Sequence, residues 1–344
     1  MTQIKQLFLI FLLLASCKNN KKTDATSASN IHSDFTIAFG SCNNQNLPNL
    51  LWKEIAKNNP SIFIFEGDMI YSDTENMEYL KKNYDQQKNN PDYKKFVKKI
   101  PVLATWDDHD YGENDGGADY PKKVTSQKLY LDFYNVPSDD VRRKREGVYY
   151  SKNFKIDTTN IKIILLDTRY FRTHLTPDTT SKKRYKPNKY GQGTMLGDAQ
   201  WKWLQNELEN SKASYTIIAS SIQFLSDQHG FECWGNMPHE YDKLIKLLAS
   251  TKTKNAIILS GDRHISEISK KEFKNLNYPL IDFTSSGLTH SYTNFKSEIN
   301  PYRIGKVIPY KNFGLLKFDF KNKKVIMETR GEKNILYATY TQKY

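Results

Sequence analysis

The chain has 344 residues, of which 38% are hydrophobic, 13% aromatic and 26% charged, enough apolar side chain for a substantial core. Its formal net charge of +13 is spread over scattered lysine pairs (Lys81-Lys82, Lys94-Lys95, Lys98-Lys99, Lys122-Lys123, Lys270-Lys271). With no basic arm and no aromatic-interleaved basic motif, that charge argues against a nucleic-acid partner and leaves an anionic substrate open.

In chain order, MTQIKQ is followed by LFLIFLLLAS, an apolar run too short to span a bilayer as a stable helix. Cys17 comes next. One lysine, a short apolar run and small residues before a cysteine predict a signal peptide over 1–17. The stretch Leu-Ala-Ser-Cys resembles the bacterial lipobox. That implies a lipidated Cys17, a membrane partner and a place in the cell envelope, periplasmic or outer-membrane. Residues 18–33 are small and polar and predict a flexible tether. A single domain is expected over 34–344, with no internal repeat and no second linker. Cys42 and Cys233 are too few to form a disulfide framework.

FTIAFGS (35–41) predicts a strand, LPNLLWKEIAKN (47–58) a helix, SIFIFEGD (61–68) a buried strand and PVLATWD (101–107) another. KVTSQKLYLDFYN (123–135) predicts a helix and IKIILLDTR (161–169) a strand. DAQWKWLQNELENS (198–211) predicts a helix capped by Asp198. SYTIIASSIQF (214–224), AIILSGD (256–262) and YPLIDFTSS (278–286) are further strands. FGLLKFDF, KVIMETRG and ILYATYT then read as consecutive antiparallel strands. Apolar strands alternating with helices imply an α/β fold with a mainly parallel sheet covered on both faces. The strand-rich tail implies a mixed sheet or a second sheet beside it.

Several of these strands end in metal-binding or catalytic residue types. The ends are Gly40-Ser41-Cys42, Gly67-Asp68 with Tyr71, Asp107-Asp108-His109-Asp110, Asp167 with Arg169, and Gly261-Asp262-Arg263-His264. In open α/β sheets ligands collect outside the carboxyl ends of the strands. Asp68, Asp107, Asp108 and Asp262 cannot share a small site in ionised form without counter-charge, because like charges at close range raise one another's pKa. Cations answer that need. Carboxylate, imidazole, thiolate and phenolate together suit a redox-capable or borderline metal beside a harder one.

The order FGSC, GDMIYSD, TWDDHDYGEND, LDTRYFR and LSGDRH, with GTMLGDAQWKWLQNEL and FTSSGLTHS, resembles the alkaline phosphatase D-like (PhoD-like) family of metallophosphatases, within the calcineurin-like superfamily. The resemblance spans roughly 35–320. It implies a four-layer α/β/β/α sandwich, hydrolysis of phosphate mono- or diesters by metal-activated water, and Fe3+ and Ca2+ as cofactors. By resemblance Cys42 and Tyr71 ligate the ferric ion and Asp68 bridges metals. Asp108, Asp262 and His264 are further ligands, and Asp107 is a ligand or an orienting partner. His109 stands near the leaving group.

Two departures from the superfamily pattern are visible. Cys42 replaces its first Asp-x-His motif, and a strand that usually delivers a histidine ends in Ser221 and Gln223. Arg169 is expected to grip a phosphate oxygen, the alternative being a structural salt bridge to a nearby aspartate. Asn114, His290 and Asn312 are expected at the substrate pocket, and Cys233 near its rim. Two other functions stay open: a phosphodiesterase acting on lipid head groups, wall polymers or nucleotides, and a non-catalytic surface ligand-binding lipoprotein. Intact Cys42, Asp68, Tyr71, Asp108 and Asp262 weigh against the latter.

Overall fold

The computed structural model describes residues 33–344; the expected signal peptide, Cys17 and nearly all of the expected tether lie outside the described residues. The first strand, β1 (Phe35–Gly40), pairs in parallel with β2 (Ile62–Glu66), which pairs in parallel with β3 (Val102–Thr105). Between them run α1 (Leu51–Ala56), α2 (Met77–Asn89) and α3 (Pro91–Lys99). The short α4 (Asp108–Tyr111) and then α5 (Lys123–Phe133) follow β3.

The chain next builds β4 (Tyr150–Ile156) and β5 (Thr159–Leu165), a small hairpin of β6 (Thr176–Pro177) and β7 (Tyr185–Lys186), α6 (Gly197–Glu209), β8 (Tyr215–Ala219) and α7 (Pro238–Ser250). It continues through β9 (Ala256–Ser260), β10 (Ser266–Lys271), β11 (Leu280–Ser285) and β12 (Arg303–Ile308). β13 (Phe313–Asp319), β14 (Lys324–Arg330) and β15 (Leu336–Lys343) close it.

Two large sheets result, in the orders β15-β14-β13-β1-β2-β3 and β12-β10-β11-β9-β8-β5-β4. β5, β8, β9 and β11 are parallel to their neighbours in that group, while β4 on one side and β10 with the edge strand β12 on the other are antiparallel. The late strands therefore do not form a separate sheet: β13 pairs antiparallel with β1 and extends the first one.

Side-chain alternation divides the core. Phe35, Ile37 and Phe39 point between the sheets, where they meet Ile163, Ile217, Ile257 and Phe283. Ala38, Phe63 and Phe65 point the other way, onto Trp52, Leu80, Phe96 and Leu131 of the helices. On the far face of the second sheet, Ile164, Ile218 and Ile258 pack on Leu204, Leu208, Leu244 and Leu248 of α6 and α7. This is the four-layer α/β/β/α sandwich that the resemblance implies. Strands buried on both faces read as continuous apolar runs for this reason.

α6 begins one residue earlier than its expected cap. Thr194 Oγ1 accepts from Gly197 N at 2.8 Å, and Asp198 lies in the first turn, where its charge favours the helix dipole. Among the described residues, no helix is long and apolar enough to cross a membrane.

Candidate metal centre

The parallel strands of both sheets deliver their carboxyl ends to one place. There the backbone turns sharply: Cys42, Asp68, Asp262 and His264 have φ of 62°, 53°, 63° and 55°, unfavourable for residues with a Cβ. Two glycines permit the close approach. A Cβ on Gly67 would lie 2.3 Å from Asp107 Cβ, and one on Gly261 would lie 2.4 Å from Ser41 Oγ.

The donors expected from sequence converge. Cys42 Sγ lies 3.5 Å from Asp68 Oδ2, which accepts from Tyr71 Oη at 3.2 Å. Tyr71 Oη is in turn 3.5 Å from His264 Nε2. Asp68, Asp108 and His109 each offer an atom within 4.8 Å of the others, and so do Asp107, Asp108 and Asp262. His290 stacks edge-on to His264 at 4.5 Å and to Tyr71 at 5.2 Å.

Electrostatics shows what this packing costs the protein groups alone. Burial pushes the Cys42 thiol up to about 12, against the Ser41 hydroxyl and with the help of Asp262. Burial likewise raises Asp68, to which Cys42 adds, and raises Asp262 to about 6, to which Asp108 adds. Asp107 is raised by burial despite Arg169 beside it. Asp108 differs. Burial works to raise it, but His109, Arg169 and the amides of Asp115 and His109 outweigh that and hold it at about 2. The cluster thus keeps one carboxylate ionised and strains against ionising the rest.

Asp107 Oδ2 is buried and has no hydrogen-bond partner. A fully buried carboxylate oxygen without a partner is rare in proteins. Hard oxygens, one thiol and one phenol around an unsatisfied oxygen fit bound cations.

Other residues prepare the donors. Asp110, buried, accepts from the backbone N–H groups of Asp107 at 2.7 Å and of Asp68 and Met69 at 3.2 Å. It ties two donor loops together. Asp73 holds His109 Nδ1 at 2.8 Å, and Tyr71 stacks on the His109 ring at 4.2 Å. Burial lowers the His109 pKa, yet Asp108, Asp68 and Asp73 outweigh it and raise the value to about 11.

Several expectations need correction. Arg169 is fully buried: Nε donates to Asp107 Oδ1 at 2.6 Å and Nη1 to Glu232 Oε2 at 2.5 Å. It is the salt-bridge alternative, and it has no open face for a phosphate oxygen. Asn312 is buried, accepting from Ser285 Oγ at 2.7 Å and donating to Tyr310 O at 2.8 Å, so it lines no pocket. Cys233 is also buried, next to Glu232, and its thiol is pushed up to about 12 by burial; both Cys42 and Cys233 are free thiols. Ser221 bonds Asp107 Oδ1 at 3.0 Å, whereas Gln223 turns inward to Glu267 at 2.7 Å. Asn114 is exposed. With its amide set to satisfy its neighbours, its oxygen accepts from Arg184 at 3.0 Å.

Asp73 and Glu232 were not singled out from the sequence, and Asp110 was noted there only as part of the strand end, without a role. Asp73 stands inside GDMIYSD and Asp110 inside TWDDHDYGEND, each two residues from an expected donor, Tyr71 and Asp108. Glu232, in FECWGNMP, carries no local signal.

Comparison with known proteins agrees with this geometry. A family model described as PhoD-like phosphatase matches residues 37–329. Alkaline phosphatase D of Bacillus subtilis (strain 168) is 22% identical over 278 residues, covering 67% of this chain and 46% of that protein. The chain thus spans about half the length of that curated relative. A solved structure of PhoD superposes with a TM-score of 0.69 at 18% identity, over 90% of this chain and 68% of the other. A dimetal phosphatase from Danio rerio gives 0.57 at 11% identity, over 91% of this chain and all of the other. Both likenesses speak to the fold. With the family match running from β1 to β14, the chain belongs to the PhoD-like phosphatase family.

Proposed function

We propose that the chain hydrolyses phosphate esters at the strand-end cluster. The observation that carries this reading is the convergence of Cys42, Asp68, Tyr71, Asp107, Asp108 and Asp262 around a buried carboxylate oxygen that no protein group satisfies. Cys42, Asp68 and Tyr71 would hold Fe3+, because thiolate and phenolate are anionic and electron-rich. Asp107, Asp108, Asp262 and His264 would hold Ca2+, which favours a carboxylate-rich set. Bound there, the cations supply Lewis-acid stabilisation of phosphoryl charge and acidify a water.

The protein's own part is positioning and proton transfer. Asp110 fixes the backbone of Asp68 and Asp107. Arg169 and Ser221 fix one oxygen of Asp107 and leave the other to the site. His109, held through Nδ1 by Asp73, presents its other nitrogen as the proton donor to a leaving alkoxide. His290, whose pKa burial lowers to about 4, stays neutral at the edge of the site and suits contact with the substrate's leaving group.

The test is elemental analysis of protein purified without chelator, coupled to turnover of p-nitrophenyl phosphate and bis-p-nitrophenyl phosphate. Activity tracking bound iron and calcium supports the reading, and the ratio of the two rates sets monoester against diester preference. A metal-free protein with full activity, or a metal-loaded one with none, sinks it. The N-terminal pattern supports a lipid anchor at Cys17 in the bacterial envelope; a Cys17→Ser protein that still fractionates with membranes would contradict that part.

A further inference from the structure

With Arg169 sealed inside the protein, a guanidinium clamp for the phosphoryl group has to come from another residue. Arg169, Arg172 and Arg263 all adjoin the donor loops, but their side chains are only 0%, 2% and 7% exposed. Each is committed to carboxylates: Asp107 and Glu232, Glu232, and Glu298 respectively. Arg184 is different. Its side chain is 50% exposed, and it stands at the end of the β6–β7 hairpin.

That hairpin is fastened to the site. Arg184 N and Tyr185 N both donate to Gly230 O, at 3.0 Å and 2.9 Å, on the loop that carries Glu232. Tyr185 Oη donates to Asp115 Oδ2 at 2.6 Å, and Arg184 Nη2 lies 2.8 Å from the same oxygen. Asp115 N in turn donates to Asp108 Oδ2 at 2.8 Å. One residue therefore separates the Arg184 guanidinium from an expected metal donor. Asp115 and Asn114 occupy Nη2 alone. The Nε and Nη1 donors of Arg184 bond no acceptor among the described residues. A planar fork with free donors, braced from behind by a carboxylate, is the geometry that grips phosphate oxygens.

We infer that Arg184 is the substrate-binding guanidinium of this site, taking the non-bridging oxygens of a dianionic phosphoryl group while Asp115 holds it in place. The inference rests on the phosphoester reading and goes beyond it by naming the charge class that is favoured. A phosphomonoester presents two negative charges and a diester one, so the clamp discriminates toward the monoester.

The experiment compares wild type, Arg184→Ala and Arg184→Lys on p-nitrophenyl phosphate and on bis-p-nitrophenyl phosphate. It also measures inorganic phosphate binding by calorimetry and bound metal by elemental analysis. Arg184→Ala raises KM for the monoester, and Kd for inorganic phosphate, by about tenfold or more, the loss expected of a charged hydrogen bond. KM for the diester moves by less than about threefold, since its single charge engages the fork less. Arg184→Lys keeps the charge without the fork and recovers part of the loss.

Unchanged KM and Kd in both variants overturn the inference. An equal fall on both esters accompanied by metal loss also overturns it, since Arg184 would then only brace Asp115. A wild type that cleaves neither ester brings down the phosphoester reading and this inference together, whereas the first two results bring down this one alone.

Discussion

Two sets of buried carboxylates in the sandwich are treated differently. Within the second sheet, Asp282 of β11 has both oxygens satisfied. Oδ2 accepts from Phe224 N and Leu225 N at 2.8 Å each, and Oδ1 accepts from Ser260 Oγ at 2.7 Å. It pins the chain that leaves β8. At the strand ends, Asp107 leaves Oδ2 with no partner, and Asp68 faces a thiol at 3.5 Å and a phenol at 3.2 Å. Burial raises the carboxyl pKa in both places. The difference is completeness. Asp282 finds its donors within the chain, and Asp107 is left short of one.

The largest expected effect breaks the strand-end side of that contrast. Asp68→Asn removes the central anionic charge and one of its two oxygens, so bound metal falls and phosphoester turnover drops to background in the same preparation. Retained metal with normal turnover would place Asp68 among structural carboxylates. His109→Ala leaves the cation donors intact and takes away the proton donor. It should lower kcat by roughly 10²-fold or more with metal content unchanged. A drop in metal content matching the drop in rate would move His109 from proton transfer to ligation.

Asp282→Asn probes the other side. It orphans donors in the interior and should destabilise the fold by about 1–3 kcal/mol in urea unfolding, with metal content preserved. Loss of metal at full stability would erase the distinction between the two regions.

The smallest effect is a pH slope. His229 donates through Nε2 to Ser226 O at 3.1 Å and accepts from Phe231 N through Nδ1 at 3.1 Å, so it must stay neutral. Burial, then Arg263, hold its pKa well below the ordinary 6.5. The unfolded chain takes up a proton near 6.5 and the native one does not, so this contribution is present above that pH and is lost as pH falls toward the folded value. Urea unfolding at pH 7.5 and 5.5 should show a steeper acid loss in wild type than in His229→Gln. Equal slopes in the two proteins count against it.

Much of this was readable in the sequence where burial is two-sided. β1, β2, β8 and β9 are buried throughout, as is β5 from Ile161 on, and they read as mainly apolar runs. α2, β10 and β12 were not readable that way. α2 buries Asn83 and Gln87 beside Leu80 and Tyr84, so its inner face does not look apolar. β10 buries Ser266, Glu267 and Ser269, and β12 is a half-exposed edge strand containing Gly305. α7 did carry a helix signal, with Pro238 in its first turn and Leu244, Ile245 and Leu248 on one face, though no helix was expected there.

The site divides along the same line. Donors that directly follow apolar strands, such as Cys42, Asp68 and Asp262, were visible because the strand marks the place. Glu232 and Arg184 come from loops whose position depends on long-range packing, and no periodicity points to them. Arg169 was visible as a residue but not in its role, because only Glu232 and Asp107 around it show that it is saturated.

The central claim is that multivalent cations complete the strand-end cluster. Anomalous diffraction from crystals of the active protein, recorded on both sides of the iron absorption edge, tests it most directly. The account predicts an iron peak within bonding distance of Cys42 Sγ, Asp68 and the Tyr71 oxygen, and a second cation against Asp108 and Asp262. Crystals of turnover-competent protein with neither peak would contradict it.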